Sequence, residues 1–166
     1  MRDNPYEIPA ALCMVALIGI TVFLGEGAVR GLRLLGALVG VLSLPLMFLP
    51  IVTLKRHGDV KVGESYMATR RVVDRGLLGV VRHPQYLGYM MLGVSFALLS
   101  QRWYSAALAL VGGFFFCLHA VKEEGMLAER LSPDYEHYRS RVPRFNIFLG
   151  LWRALRGTNG RGSAAE

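Results

Sequence analysis

The chain has 166 residues, of which 53% are hydrophobic and 19% charged, and its 19 Lys and Arg against 12 Asp and Glu give a net charge of +7. A soluble domain is about 45–50% apolar and about 25% charged. Here the apolar excess is clumped into two uncharged runs, residues 8–24 and 34–54. That excludes an ordinary soluble globule, and a disordered chain too, which needs low hydrophobicity. The basic charge lies between and after the apolar runs, so anionic lipid headgroups are the expected partner rather than nucleic acid.

In chain order, residues 8–24 read as a membrane span. The preceding Met1-Arg2-Asp3-Asn4 is barely basic and no small-residue cleavage site follows, so a cleaved signal peptide is not expected. Residues 34–54 are long enough for a second span, with Pro45 and Pro50 expected to kink it or unwind its last turns. A polar stretch, 55–85, follows. Residues 86–100 and 103–121 are apolar again, parted by Gln101-Arg102, and read as a tight helical hairpin that starts near Pro84. Residues 122–130 suit a helix leaving the membrane. Ser132 is the expected N-cap of the next helix, with Pro133 at its first position. Residues 145–156 mix apolar side chains with Arg153 and Arg156, as in a helix lying in the headgroup plane, and 157–166 read as a disordered tail. The fold expected is an all-α integral membrane protein of about four transmembrane helices plus interfacial helices, one domain over 1–156.

Lys and Arg set the orientation. Seven fall in 55–85 and eight from Lys122 onward, against Arg102 at the hairpin tip and Arg30 and Arg33 in the first loop. The two rich segments, and with them both termini, are therefore expected in the cytoplasm. Cys13 and Cys117 each lie in an apolar run and read as small buried hydrophobes, with no metal site expected. Nothing in the sequence specifies an oligomeric state.

Three polar clusters stand out. The first is Arg82-His83-Pro84-Gln85-Tyr86 with Gly88. A helix start there offers unpaired N–H groups and a positive dipole end to a carboxylate. Arg82 adds a bidentate contact, Tyr86 an aromatic face for a cation, and Gly88 room for a ligand or a helix. An interfacial Arg/Tyr anchor is the simpler account of the same residues. The second cluster is His119, Lys122, Glu123 and Glu124. His119 and Glu123 share a helix face, while Glu123 and Glu124 point about 100° apart. Ionisable groups beside a span suggest function, although pairing with Arg130 or Lys122 would also explain them. The third is Tyr135-x-x-Tyr138-x-x-Arg141-Val142-Pro143-Arg144. Its tyrosines share a face, and its arginines suit a lipid phosphate or a substrate carboxylate.

In this order the clusters resemble the membrane methyltransferase superfamily, which contains isoprenylcysteine carboxyl methyltransferases and phospholipid (phosphatidylethanolamine) N-methyltransferases. The resemblance rests on Gly76, on Arg82-His83-Pro84-Gln85-Tyr86-Leu87-Gly88, on Glu123-Glu124-Gly125-Met126-Leu127, and on Tyr135-Glu136-His137-Tyr138-Arg139-Ser140-Arg141-Val142-Pro143, and covers about 72–148. It implies S-adenosyl-L-methionine held by Arg82, His83, Tyr86, Gly88, Glu123 and Glu124, with a cytoplasmic cofactor region over 122–156. Many members carry Pro-Tyr-Arg after the loop glycine, whereas here Leu77-Leu78-Gly79 follows Gly76. The implied activity is methyl transfer to a lipophilic membrane substrate. His119 and Glu123 are candidate proton acceptors, Arg144 a further catalytic candidate, and Tyr138, Arg141 and Arg144 candidate substrate contacts. The short chain favours a phospholipid amine or other small lipophile over a prenylated cysteine carboxylate. Two other classes compete: an NADPH-dependent membrane reductase of the steroid-reductase type, and a non-enzymatic lipid-binding scaffold. His83-Pro84 in place of Asn-Pro, together with Glu123-Glu124, disfavours the reductase.

Overall fold

The apolar runs fold as long helices. In the computed structural model, which describes residues 4–61 and 63–156, the elements are α1 (Glu7–Leu24), α2 (Arg30–His57), α3 (Pro84–Ser100), α4 (Trp103–Leu131), α5 (Asp134–Arg141) and α6 (Ile147–Leu155). Two 3-10 turns, Tyr66–Ala68 and Gly76–Gly79, complete them, with no strand among the described residues. Among the described residues three helices, α1, α2 and α4, are long and apolar enough to cross a membrane. The fourth expected arm, α3, is present with 17 residues. It rises about 26 Å, less than the hydrocarbon thickness of about 30 Å.

Helix α2 does not take the unwinding that is one of the two outcomes expected at its prolines. It runs unbroken through Pro45 and Pro50 to His57, so its last turns do not unwind. With no water to take over freed backbone groups in hydrocarbon, keeping the remaining ladder is the cheaper solution. Hydroxyls near the two prolines add bonds: Ser43 Oγ donates to the Gly40 carbonyl at 2.7 Å and Thr53 Oγ1 to that of Leu49 at 2.8 Å.

The chain groups into two compact units. The first comprises Met1–Phe48 and Gln85–Met126. Small residues join its helices, as expected where packing rather than water drives association. Ser95 Oγ donates to the Gly36 carbonyl at 2.7 Å. A Cβ on Gly88 would lie 2.7 Å from Met47 Cγ, and one on Gly112 would lie 3.1 Å from Cys13 Cβ. Large apolar side chains such as Leu12, Val15, Phe23 and Phe114 face outward. At the hairpin tip the Gln101 amide binds both backbone groups of Val29, at 2.9 and 3.0 Å. Arg102 Nη2 donates to the Leu24 carbonyl at 2.7 Å, satisfying an orphan acceptor at the end of α1. Arg33, one of the cations the charge count puts on the sparse side, pairs with Glu26 at 3.3 Å.

The second unit comprises Leu49–Pro84 and Leu127–Glu166. Tyr135, Tyr138 and Val142 form a buried cluster, packed against Val72, Leu127, Ala128 and Leu131. Helix α5 starts one residue later than expected. Pro133, not Ser132, is the N-cap, no side chain caps it, and its carbonyl accepts from His137 N at 3.3 Å. Helix α6 is capped by the Asn146 side chain, which accepts from Leu149 N at 2.9 Å. It leaves Phe148, Leu151, Trp152 and Leu155 exposed along one stripe, and Gly150 packs directly on the Val80 backbone. The expected tail, 157–166, lies outside the described residues.

Candidate active site

The R-H-P-x-Y run is divided between the units after Pro84. In the first unit, Tyr86 sits on the first turn of α3, and α4 presents Phe116, His119 and Glu123 at i, i+3 and i+7, spacings that share one helix face. Tyr86 Oη donates to Glu123 Oε2 at 2.6 Å. Its ring lies 4.9 Å from that of His119 and 6.0 Å from that of Phe116, centroid to centroid. Tyr89, one turn on, stacks on Phe116 at 5.3 Å and accepts from Gln85 Nε2 at 3.2 Å. Tyr86 of the first cluster thus meets the second cluster within one unit, joined to it by a short hydrogen bond to a carboxylate.

The adjacent glutamates divide as the 100° step requires. Glu124 is buried, 2% exposed, whereas Glu123 is half-buried and takes the tyrosine hydroxyl. His119 is buried too, and its carbonyl accepts from Asn4 Nδ2 at 3.3 Å. That tie, 115 positions apart in sequence, has no local signal. Gly88 has a packing reason for lacking a side chain, since α2 fills the space beside it. A carboxylate, a histidine and two aromatic rings beside the start of α3 make an acceptor set suited to a ligand carrying positive charge or hydroxyls.

In the second unit, Arg82 N donates to the Pro143 carbonyl at 2.9 Å and His83 N to that of Arg144 at 3.3 Å. This backbone pairing sets the R-H-P segment beside the V-P end of the third motif, a neighbourhood that 60 intervening residues conceal in sequence. His83 is buried, with its ring 6.0 Å from that of Phe145. Tyr138 is buried and its hydroxyl donates to the Leu78 carbonyl at 2.6 Å, an architectural use of a residue expected at the substrate. Arg141 lies 3.6 Å from Asp74, and its carbonyl accepts from Arg153 Nη1 at 2.8 Å. Arg144 is half-buried. Gly76 adopts a φ of +58° and opens a 3-10 turn in which Leu77-Leu78-Gly79, at the positions where the resemblance implies Pro-Tyr-Arg, presents the Leu78 carbonyl.

One comparison with known proteins falls on this part of the chain. A family model described as "Protein of unknown function (DUF1295)" matches residues 61–142, just under half of the chain. Over 99 residues the chain is 30% identical to Protein-S-isoprenylcysteine O-methyltransferase of Schizosaccharomyces pombe, covering 54% of this chain and 42% of that protein. The chain thus spans less than half the length of this relative. No solved structure is matched. The family match spans the R-H-P-x-Y and E-E-x-x-L runs and ends at the valine of the third motif, and with the named relative it is consistent with the resemblance to the membrane methyltransferases.

Proposed function

We propose that the protein is an S-adenosyl-L-methionine-dependent methyltransferase acting on a lipophilic substrate drawn from the bilayer. The observation that carries this reading is the Tyr86–Glu123 hydrogen bond at 2.6 Å, with the His119 ring tilted beside that of Tyr86, because it joins two motifs of the resemblance at one helix end. The relative's name supports methyl transfer as the reaction class. S-adenosylmethionine, when bound, would supply an electrophilic methyl group on a sulfonium centre, with S-adenosylhomocysteine as the leaving group.

The chain's own part is positioning, which contributes up to about 7–11 kcal/mol for well-aligned reactants. Tyr86 offers its ring face to positive charge, and its hydroxyl fixes the Glu123 carboxylate. Glu123 and Glu124 supply acceptors for an ammonium group and for hydroxyls. A carboxylate acceptor arrives ionised and needs no base. An amine acceptor must lose a proton, which His119 or Glu123 takes up. Arg141 and Arg144 are the proposed contacts to the substrate's polar head. In this reading the basic segments and both termini lie in the cytoplasm.

Calorimetric titration of the purified protein with S-adenosylhomocysteine, and in parallel with NADPH, tests the proposal. Saturable S-adenosylhomocysteine binding is expected, weakened at least about tenfold by Glu124→Ala. Arg82 and His83, to which the resemblance gives the same role, are tested singly in the same titration. Binding of NADPH alone moves the chain to the reductase class. With labelled cofactor, a base-labile product identifies a methyl ester and a base-stable one an N-methyl product, which decides between the two acceptors.

A further inference from the structure

Helix α2 ends in Lys55-Arg56-His57, after which the chain turns through Gly58 and Asp59, the latter with φ +54°. The returning segment brings Arg71, Asp74 and Arg75 alongside. With Arg56, His57 and Asp59 they line a cavity of about 440 Å³. That is within the roughly 300–1,000 Å³ of ligand sites, and every lining residue belongs to the second unit.

The charges do not balance. Asp74 has a partner off the cavity wall, Arg141, at 3.6 Å. That leaves Asp59 as the acid facing Arg56, Arg71 and Arg75, none of which makes a side-chain hydrogen bond or ion pair among the described residues. The α2 dipole favours cations in its last turn and accounts for Arg56. It accounts for neither Arg71 nor Arg75, which come from an irregular segment. All three arginines are exposed, so water screens their mutual repulsion, but their planar forks match phosphate oxygens and their side chains are open to an anion from solution or from a headgroup.

We propose that this cavity binds a phosphate group, the chemistry shared by an anionic phospholipid headgroup and a free phosphate or diphosphate. Its position at the end of a membrane-crossing helix puts it at headgroup level. No lining residue is among those assigned to methyl transfer, although Asp74 touches Arg141, and the proposal does not depend on that reading.

The test uses the whole protein and two kinds of probe. Pyrophosphate is titrated onto protein in neutral detergent. Phosphatidic acid is titrated into phosphatidylcholine nanodiscs holding the protein, with retained lipid counted by native mass spectrometry. Saturable binding of either probe is expected. Arg71→Gln/Arg75→Gln weakens it about ten- to hundredfold, while Arg139→Gln/Arg156→Gln, which removes the same charge elsewhere on the unit, leaves it within about threefold. Arg71→Lys/Arg75→Lys keeps the charge and loses the fork, so intermediate binding is expected. Binding of phosphatidic acid alone identifies a headgroup as the source, and binding of pyrophosphate alone a soluble phosphate. Absence of saturable binding to both probes overturns the proposal, as does equal loss in the two glutamine pairs.

Discussion

Two tyrosine hydroxyls in this protein each donate a hydrogen bond of 2.6 Å, and the acceptors give the two regions opposite characters. Tyr138 is buried and bonds the backbone carbonyl of Leu78, in a cluster with Tyr135 and Val142. Tyr86 is half-buried and bonds a carboxylate, Glu123, beside the ring of His119. The first bond satisfies a carbonyl that would otherwise be stranded, so its worth is stability. The second orients a group that can also act on a ligand, so its worth lies in binding and chemistry. Residue type and bond length are the same; the partner's chemistry and access make the difference.

Removing the packing in the Tyr138 region has the largest expected effect. Tyr135 is 3% exposed at the centre of its cluster, so Tyr135→Ala is expected to destabilise the fold by about 3–5 kcal/mol, read as a fall in the thermal unfolding midpoint. The paired tyrosine deletions sharpen the contrast. Tyr138→Phe leaves the Leu78 carbonyl buried without its donor and is expected to destabilise by about 1–3 kcal/mol, with S-adenosylhomocysteine affinity unchanged in the fraction that remains folded. Tyr86→Phe is expected to do the reverse, with the unfolding midpoint moved by less than about 1 kcal/mol and affinity weakened about tenfold. Equal effects of the two changes on both readouts would remove the distinction drawn here.

Much of this was legible in sequence because it is local. The two-residue break at Gln101-Arg102 fixed the hairpin, hydropathy fixed three of the four expected spans, and a three-residue spacing put Tyr135 and Tyr138 on one face. The meeting of Tyr86 with Glu123 was also accessible, since a hairpin returns its second arm to the start of its first. What escaped is non-local or set by the solvent. Helix α2 keeps its ladder past Pro45 and Pro50 because hydrocarbon offers the backbone no alternative, a penalty that proline rules drawn from water omit. The helix start at Pro133 rather than Ser132 is a one-residue choice between two plausible caps. The assignment of Tyr138 to Leu78 depends on a contact 60 positions away. Arg56, Arg71 and Arg75 carried only a charge count in sequence, and their shared cavity exists only once the chain has turned at Asp59.

The smallest expected effect isolates burial as the deciding variable. Glu64 accepts from Arg70 Nη2 through both carboxylate oxygens, at 2.8 and 2.9 Å, more contacts than either tyrosine hydroxyl makes. The pair is exposed, so water and salt screen it. The Arg70 hydrogen bond holds the Glu64 carboxyl below its ordinary value. A group whose pKa is lowered on folding contributes its stability above the unfolded-state pKa and loses it as pH falls through the folded value. Any stabilisation is therefore present at neutral pH and disappears only in acid, below the usual carboxylate range. Glu64→Gln is expected to leave the unfolding midpoint unchanged within error at pH 7 in about 0.15 M salt. Any difference should appear at low ionic strength and vanish on acidification. A loss at physiological salt as large as that of Tyr138→Phe would mean that bond count, not burial, sets the value of a polar contact in this protein.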